Sequence, residues 1–302
     1  MSFHTASALL RGAFLIERQY AASQLPLVLS MIRGNMEEHQ PVALTSRQQT
    51  PKRVLVKSAA ANKVTNVFVL NPYQSPERLP YDSIAMVNII GPVLKYGDIC
   101  SYGTNQINDL IQRLSLSDRV VGIILNIDSP GGQADGTGML YDTIRAANKT
   151  KPVVSLIQDG MAASAGYWIA AGGREIYCTQ ATDMFGSIGA YTTLYDFTEY
   201  FANEGIKIFE IYAPQSPDKN KDYYDALAGN DAAIKNKLAF LVDQFKASVT
   251  ASRGPRLKAK GDEPFTGKMY NAKEAKSMGL IDGIKPLSGV VDRITQLINL
   301  KQ

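Results

Sequence analysis

Two short stretches rich in glycine, alanine and serine have the composition of sites that hold reacting groups. The first, "NIDSPGGQADG" (126–136), follows an apolar run and leads into a helical pattern. A strand that ends in a glycine-rich turn before a helix exposes backbone N–H groups at the positive end of the helix dipole. Gly131 and Gly132 carry no side chain that would block a ligand, so this turn could hold a phosphate or a developing oxyanion. The alternative is an ordinary tight turn, and the glycine–lysine spacing of a Walker phosphate loop is absent.

The second stretch, "DGMAASAGYWIAAGG" (159–173), repeats this arrangement and adds a nucleophile. Small residues, Ser164 among them, open a predicted helix directly after an apolar strand. A serine there could present its hydroxyl, and the N–H of the next residue could complete an oxyanion hole. The alternative is a small-residue helix that packs tightly on a neighbour. A third small-residue turn follows at "FGSIGAY" (185–191).

A serine nucleophile needs a base, and the position of the histidines limits the choice. The chain has only two, His4 and His39, and both precede the region that contains these stretches. A Ser-His-Asp triad built within that region is therefore excluded, which favours a lysine in the Ser-Lys variant of the same logic. A lysine acts as a base only when it is neutral, so its pKa must fall from about 10.4 towards neutrality, and desolvation in an apolar site can cause that.

The elements that would position these groups alternate between strand and helix from about residue 84. Short β-branched runs predict buried strands at 84–93, 120–127, 153–158, 175–178 and 206–212. Helical spacing predicts helices at 105–114, 138–148, 231–252 and, with Asn271 as N-cap and Gly279 as its stop, 271–282. The predicted buried face of helix 231–252 carries Ile234, Leu238, Leu241, Val242, Phe245 and Val249. This alternation predicts an α/β fold with a mainly parallel sheet flanked by helices.

The first 80 residues differ from the rest of the chain in their pattern of apolar and polar residues. Apolar positions at helical spacing span 8–35, and a polar, proline-containing stretch at 37–54 predicts a linker. We therefore predict an accessory amino-terminal region, a helical segment plus linker, at 1–80 and one domain at 81–302.

Composition argues against several classes of protein. The net charge of +4 over 302 residues is small, and no basic run is interleaved with aromatics, so no nucleic acid is expected as a partner. Cys100 and Cys178 lie far apart without metal-ligand spacing, and we expect two buried thiols, no metal and no cofactor. No stretch reaches the roughly 18 apolar residues needed to span a membrane, so we expect no membrane span and a cytoplasmic location.

The three motifs "GIILNIDSPGG", "MAASAGYWIAAGG" and "GSIGAY", with "FTGKMYNAKEAKSMGLID" (265–282) after them, resemble the signal peptide peptidase A family of serine peptidases. This family includes phage head-maturation proteases and has the Clp-protease/crotonase fold, which is built from ββα superhelix units. The resemblance covers about 84–285. It implies that Ser164 is the nucleophile, that the N–H groups of Gly132 and Ala165 form the oxyanion hole, and that Ser187 helps to hold the base.

The family's lysine follows the strand predicted here at 206–212, which directs attention to "APQSPDKNKDYYDAL" (213–227). This loop is longer than in the family and carries two lysines. Counting from the strand and to Leu227 favours Lys219 as the base, whereas Lys221 is followed by Asp, as the family lysine sometimes is. Either could instead be a solvated loop lysine.

The resemblance implies a serine endopeptidase with a Ser-Lys dyad that acts on protein or peptide substrates. The beginning "FLIERQYAASQLPLVLSMIRG" resembles phage and prophage members, so we expect cleavage of scaffold or capsid proteins during phage head maturation, in the host cytoplasm or the prohead. The alternatives are a peptidase that degrades residual signal peptides or other small peptides, a crotonase-like acyl-CoA enzyme, and a catalytically silent structural assembly protein. Because single-unit relatives form rings, we expect a cyclic homo-oligomer in which Ser164 of one chain faces Lys219 of its neighbour.

Overall fold

A mainly parallel β-sheet organises the chain. The computed structural model describes residues 50–57, 64–97, 101–258 and 260–300, together with the backbone of one earlier segment, Phe14–Ile16. The strands are β1 (Phe14–Ile16), β2 (Lys52–Lys57), β3 (Val64–Leu70), β4 (Ser83–Ile90), β5 (Val120–Ser129), β6 (Gly131–Gln133), β7 (Val153–Ala163), β8 (Glu175–Cys178), β9 (Met184–Gly186), β10 (Met269–Asn271) and β11 (Gly283–Ile284). The helices are α1 (Thr104–Leu116), α2 (Thr137–Thr150), α3 (Ala165–Ala171), α4 (Thr198–Asn203), α5 (Lys221–Leu227), α6 (Ala232–Arg253), α7 (Ala272–Ser277) and α8 (Leu287–Asn299).

The order of the strands places three crossover connections side by side. Along the main sheet the order is β10-β9-β7-β5-β4-β3-β2, and β8 lies on β7 with β11 beyond it. Strands β3, β4, β5 and β7 are parallel neighbours, and parallel neighbours need a crossover connection. Helix α1 makes the crossover from β4 to β5, and α2 makes the one from β5 to β7. The carboxyl ends of β4, β5 and β7 therefore meet at one edge of the sheet, where the glycine-rich stretches lie.

Helices cover both faces of the sheet. Consecutive residues Ile123, Ile124 and Leu125 of β5 are all fully buried, as expected for a strand sandwiched between two layers. One face packs against α1, α2 and α3, and the other packs against the buried face of α8. The predicted α/β class and the mainly parallel sheet flanked by helices are confirmed.

The two predicted signals at the ends of helix α7 are also confirmed. The side chain of Asn271 accepts hydrogen bonds from the N–H groups of Lys273 and Glu274 at 3.0 Å each. Gly279 ends the turn after α7 with a φ of +75°, and a Cβ there would lie 1.7 Å from the carbonyl oxygen of Arg256. Only glycine fits that position, which explains why the helix ends there.

The domain boundary predicted at residue 80 needs correction. Strand β3 pairs in parallel with β4, and β2 pairs with β3, so the sheet begins at Lys52. Apolar side chains before residue 80, such as Val67 and Leu70, belong to the buried core. Most of the helical segment predicted at 8–35 lies outside the described residues, but Phe14–Ile16 within it forms a strand. Residues before 80 join the sheet because β4 offers β3 a parallel edge for hydrogen bonding. The local spacing of apolar residues does not reveal such a partner.

The strand predicted at 206–212 is absent, and this stretch pairs with no described strand. It belongs to residues 192–244, here called the arm, in which no residue is buried. Ile208, Phe209 and Ile211 are 59%, 81% and 94% exposed. On α6 the predicted face is buried only at Phe245 and Val249, because the first turns of the helix belong to the arm.

Candidate active site

Ser164 stands at a strained turn between β7 and α3. Its φ of 53° and ψ of −120° lie outside the regions that residues with a side chain usually adopt. Such a conformation costs on the order of 1–3 kcal/mol and persists only when the surroundings enforce it. Here the N–H of Ser164 donates to the carbonyl of Gly186 at 2.8 Å, and its carbonyl accepts from the N–H of Trp168 at 2.9 Å. The main chain is therefore fixed on both sides of the serine.

The hydroxyl of Ser164 is buried and has no hydrogen-bond partner among the described residues. The residue is 1% exposed, and its Oγ makes no hydrogen bond. A buried polar group without a partner costs about 1–3 kcal/mol. Buried polar groups in native proteins are nearly always paired, so this hydroxyl is a candidate for a group that acts on something outside the chain.

Gly132 occupies a place that admits no side chain. It lies on β6, between two hydrogen bonds to one residue: the N–H of Val93 donates to the carbonyl of Gly131, and the N–H of Gln133 donates to the carbonyl of Val93, both at 2.8 Å. A Cβ on Gly132 would lie 1.9 Å from the carbonyl oxygen of Val93. Successive residues of a strand direct their backbone groups to opposite edges. The N–H and C=O of Gly132 therefore face away from Val93.

The glycine-rich turn and Ser164 are brought together by adjacent strands. Strands β5 and β7 are neighbours, and their carboxyl ends meet where Ser129 lies opposite Ala162. Helix α3 packs so closely on this turn that a Cβ on Gly166 would lie 2.9 Å from the Cβ of Ser129. Helix α3 also contacts β6. The two stretches that the sequence singled out thus lie side by side, and the small residues permit their close approach.

Two aspartates that the sequence did not single out hold the end of β7, just before Ser164. Asp128, the penultimate residue of β5, accepts a hydrogen bond from the N–H of Met161 at 3.1 Å. Asp183, which is buried, accepts one from the N–H of Gly160 at 2.8 Å. Both fix main-chain groups of the segment that leads into Ser164. The aspartate directly before "SPGG" was the available signal, since a carboxylate at a strand end usually binds nearby N–H groups.

Ser187 lies beside the nucleophile candidate through the main chain. It follows Gly186, whose carbonyl binds the N–H of Ser164, and its own N–H donates to the carbonyl of Lys268 at 2.9 Å. Ser187 also has a positive φ, 51°. The structure thus places Ser187 beside Ser164 along the main chain, and no described lysine amine is hydrogen-bonded to Ser164 Oγ.

Neither candidate lysine reaches Ser164 within one chain. Lys219 is exposed in the loop before α5, and only its backbone N–H has a recorded partner, the carbonyl of Ser216 at 3.3 Å. Lys221 is the first residue of α5, and its Nζ lies 2.7 Å from a carboxylate oxygen of Asp225. The hydrogen bond to Asp225 raises the pKa of Lys221, which keeps its amine protonated. Both lysines belong to the arm, in which no residue is buried.

The described residues include neither a reactive cysteine nor a cluster of metal-binding side chains. Burial raises the pKa of the Cys178 thiol to about 12, so this thiol is a poor nucleophile at neutral pH. Cys100 lies outside the described residues. In the described ranges, no three His, Cys, Asp or Glu side chains cluster as metal ligands would. No described helix combines the length and the apolar character needed to cross a membrane.

Known proteins share this sequence pattern. Serine protease SPPA, chloroplastic, of Arabidopsis thaliana is 26% identical over 232 residues, which make up 72% of this chain and 33% of that protein. Capsid assembly protease C of Escherichia phage lambda is 27% identical over 180 residues, 60% of this chain and 40% of that protein. Head-tail preconnector protein GP5 of Enterobacteria phage P21 is 35% identical over 103 residues, 34% of this chain and 20% of that protein. The chain thus spans less than half the length of each of these relatives.

Two protein families match the chain in overlapping parts. The Clp protease family matches residues 81–185, which include β5, the glycine-rich turn and Ser164. This match agrees with the predicted Clp-protease/crotonase fold. Peptidase family S49 matches residues 145–301, more than half of the chain and again including Ser164. The chain therefore belongs to peptidase family S49.

Proposed function

We propose that the chain is a serine endopeptidase in which Ser164 attacks the peptide carbonyl and a lysine serves as the base. The observation that carries the proposal is the buried, unpaired Oγ of Ser164 on a strained turn beside β6. A hydroxyl that donates to no group among the described residues can give its proton to an incoming amine. A turn of this kind after a strand is also the usual way to expose a nucleophile.

The N–H groups of Gly132 and Ala165 are the proposed oxyanion hole. The N–H of Gly132 points away from Val93, and that of Ala165 is the first of α3, where a helix offers no internal acceptor. Donors fixed in this way stabilise the charge that develops on the carbonyl oxygen without reorganising during the reaction. The tight fit of Gly132 against Val93 keeps its N–H in place.

The reaction then follows from these groups. Ser164 Oγ transfers its proton to the neutral lysine amine as the oxygen bonds to the carbonyl carbon. The tetrahedral intermediate collapses, the lysine ammonium gives the proton to the departing peptide amine, and an ester of Ser164 remains. Water then attacks this ester with the lysine again as base, which releases the new carboxyl terminus and restores the hydroxyl.

Lys219 is the proposed base, and we propose that it comes from a neighbouring copy of the chain. Within one chain the dyad is not assembled, and Lys219 lies on an arm with exposed Ile208, Phe209 and Ile211. Apolar surface of this extent usually marks an interaction site. A cyclic homo-oligomer would cover the arm and bring Lys219 of one copy to Ser164 of the next. Ser187, beside Ser164 in the main chain, would hold the amine.

The proposed role is cleavage of scaffold or capsid proteins during phage head maturation, in the host cytoplasm or the prohead. Similarity to capsid assembly protease C and to head-tail preconnector protein GP5 supports this role. Similarity to SPPA supports, to the same degree, the second candidate, a peptidase of residual signal peptides or other small peptides. The intact, unpaired Ser164 hydroxyl disfavours a silent structural protein.

A fluorophosphonate probe tests the nucleophile directly, because it forms a covalent ester only with an activated serine. We expect mass spectrometry to locate one adduct on the peptide that contains Ser164, and the Ser164→Ala variant to remain unlabelled. Ser155→Ala is the matched control, because this buried serine already donates to the carbonyl of Ala170 at 2.8 Å. No adduct at Ser164 in an assembled, folded sample would refute the proposal. Incubation of the active protein with purified capsid and scaffold proteins, or with free signal peptides, separates the two roles.

A further inference from the structure

A strand from the beginning of the chain lies along β6. Phe14–Ile16 pairs antiparallel with Gly131–Gln133, with Leu15 opposite Gly132 and Ile16 opposite Gly131. This is a short two-stranded sheet, separate from the main sheet. Its second strand, β6, contains the proposed oxyanion donor Gly132. The amino-terminal segment and the proposed catalytic groups are therefore neighbours.

The edge of β6 that this strand occupies is the one that faces Ser164. Strand β5 lies between β4 and β7; Val93 follows β4, whereas Ser164 follows β7. One edge of β6 is bonded to Val93, through Gly131 and Gln133. The other edge is directed to the Ser164 side, and it is there that β1 pairs.

The register brings the main chain of Leu15 to the oxyanion donor. Because Gly131 and Gln133 direct their bonded groups to Val93, the N–H and C=O of Gly132 face β1, and Leu15 lies opposite them. The direction is also informative. Because β1 is antiparallel, it runs towards Gly131, the end of β6 that adjoins Ser129 and the Ser164 turn. A peptide in this position presents a backbone carbonyl where a scissile carbonyl would have to lie.

We propose that Phe14–Ile16 is a built-in occupant of the peptide-binding edge of β6, so that the chain's own amino-terminal segment and a substrate compete for one site. The proposal rests on the proposed function, which makes this edge a substrate site. An extended peptide adds to a strand edge through main-chain hydrogen bonds. A tethered strand is present at an effective concentration of about millimolar, so a free peptide would bind weakly until the segment leaves.

The test measures peptide binding in the full chain with Ser164→Ala, in which the probe cannot be cut. The probe is a fluorescein-labelled copy of residues 10–20, LRGAFLIERQY, read by fluorescence polarisation. Leu15→Pro removes the N–H that faces Gly132, so we expect this variant to bind the probe roughly tenfold or more tightly. Ile16→Pro is the matched control, because the N–H of Ile16 faces away from β6, and we expect its affinity to change less than about twofold.

A second measurement compares two probes on one protein variant, so that a difference in folding between variants does not affect the comparison. A probe with Pro in place of Leu15 should bind the Ser164→Ala, Leu15→Pro protein roughly tenfold more weakly than the leucine probe. Equal probe affinity in the Leu15→Pro, Ile16→Pro and parent proteins would overturn the proposal, and so would equal gains in both proline variants. Failure of the proposed function would be recorded separately, as the absence of a fluorophosphonate adduct at Ser164 in chains that retain the serine.

Discussion

The N–H of Ser164 donates to the carbonyl of Gly186 across 2.8 Å and so ties the strained turn after β7 to the end of β9. Gly186 can take part only as glycine, because its φ is +118° and a Cβ would lie 2.4 Å from the carbonyl oxygen of Lys268. The N–H of the next residue, Ser187, donates a hydrogen bond to this carbonyl of Lys268. The "FGSIGAY" turn thus holds the serine's main chain, while its hydroxyl remains unpaired.

Ser164→Ala should abolish peptide-bond cleavage and leave the fold intact. Loss of a nucleophile removes several orders of magnitude in rate, on the order of 10³-fold or more. The folded protein should become more stable by up to about 1 kcal/mol, because an unpaired buried hydroxyl is removed. Hydrolysis of a fluorogenic peptide and thermal unfolding measure the two effects. Cleavage at the wild-type rate by the purified variant would contradict the assignment.

Gly132→Ala should reduce both activity and stability. The added Cβ would lie 1.9 Å from the carbonyl oxygen of Val93, so β6 must shift and its N–H must leave the proposed oxyanion hole. Loss of one such donor costs about 10²–10³-fold in kcat. Gly138→Ala on α2 is the matched control, since its Cβ would meet only the ring of Trp168 at 3.8 Å. That change should stabilise the protein by about 0.5–1 kcal/mol without loss of kcat. Equal kcat values in the two variants would argue against an oxyanion role for Gly132.

The core of the domain could be predicted because local and global signals agree there. β-branched runs such as 120–127 became buried parallel strands, and Ile107 and its helical neighbours became the buried face of α1. The buried aspartate Asp183 was missed because its partners are backbone N–H groups, which no side-chain pattern encodes.

The arm could not be predicted for a different physical reason. The run at 206–212 has the β-branched composition of a strand, but it pairs with no described strand. The spacing of Ile234 and Leu238 likewise predicts a buried face, but both side chains are only partly buried in the described chain. The periodicity of a sequence indicates that a face is apolar, but it does not indicate whether the residues that pack on this face belong to the same chain. The sequence likewise does not indicate whether the proposed catalytic lysine belongs to the same chain as Ser164.

The ion pair between Arg253 and Asp282 should be essential to stability. Arg253 is 1% exposed, and its guanidinium contacts the carboxylate at 2.8 and 3.1 Å. Removing one partner of a buried pair costs about 3–5 kcal/mol, so Arg253→Met should lower the free energy of unfolding by that amount. Lys235→Met is the control, because Lys235 pairs with Asp231 at 2.9 Å where both side chains are exposed, and about 0–1 kcal/mol is expected. Urea unfolding measures both, and similar losses would contradict this ranking.

The same pair predicts how stability depends on pH. Burial alone would raise the pKa of Asp282, but the hydrogen bond and charge of Arg253 outweigh it and leave the pKa lowered. A carboxyl whose pKa is lower in the folded state contributes stability above its unfolded pKa of about 3.9 and loses it as pH falls through the folded value. The free energy of unfolding should therefore fall below about pH 4, and Asp282→Asn should remove part of that dependence. An unchanged acid slope in this variant would count against the pair as its cause.

The two lysines of the arm should differ in their effect on activity. Lys219→Ala should abolish cleavage, since it removes the proposed base. Lys221→Ala, the matched control two residues away, should weaken cleavage modestly, because the amine of Lys221 is held protonated by Asp225. Rates on a fluorogenic peptide decide between them. The opposite result would assign the base to Lys221 and leave the Ser-Lys dyad standing.

The last prediction concerns the source of the base. Ser164 Oγ has no partner in the described chain, and Lys219 lies on an arm with no buried residue. If each site uses the serine of one copy and the lysine of the next, then Ser164→Ala and Lys219→Ala chains are each inactive for complementary reasons. Mixed oligomers would contain interfaces with one intact serine and one intact lysine, so subunit exchange should restore part of the peptide hydrolysis; at equal mixing, about a quarter of the interfaces in a ring are complete. Native mass spectrometry of an isotope-labelled variant would confirm that exchange has occurred. A mixture of Ser164→Ala with Gly132→Ala serves as the control, because both substitutions alter the serine-bearing half of the site. The activity of this mixture should stay near the activity of the two variants measured separately. Exchanged oligomers that regain nothing would place the base within the same chain as Ser164.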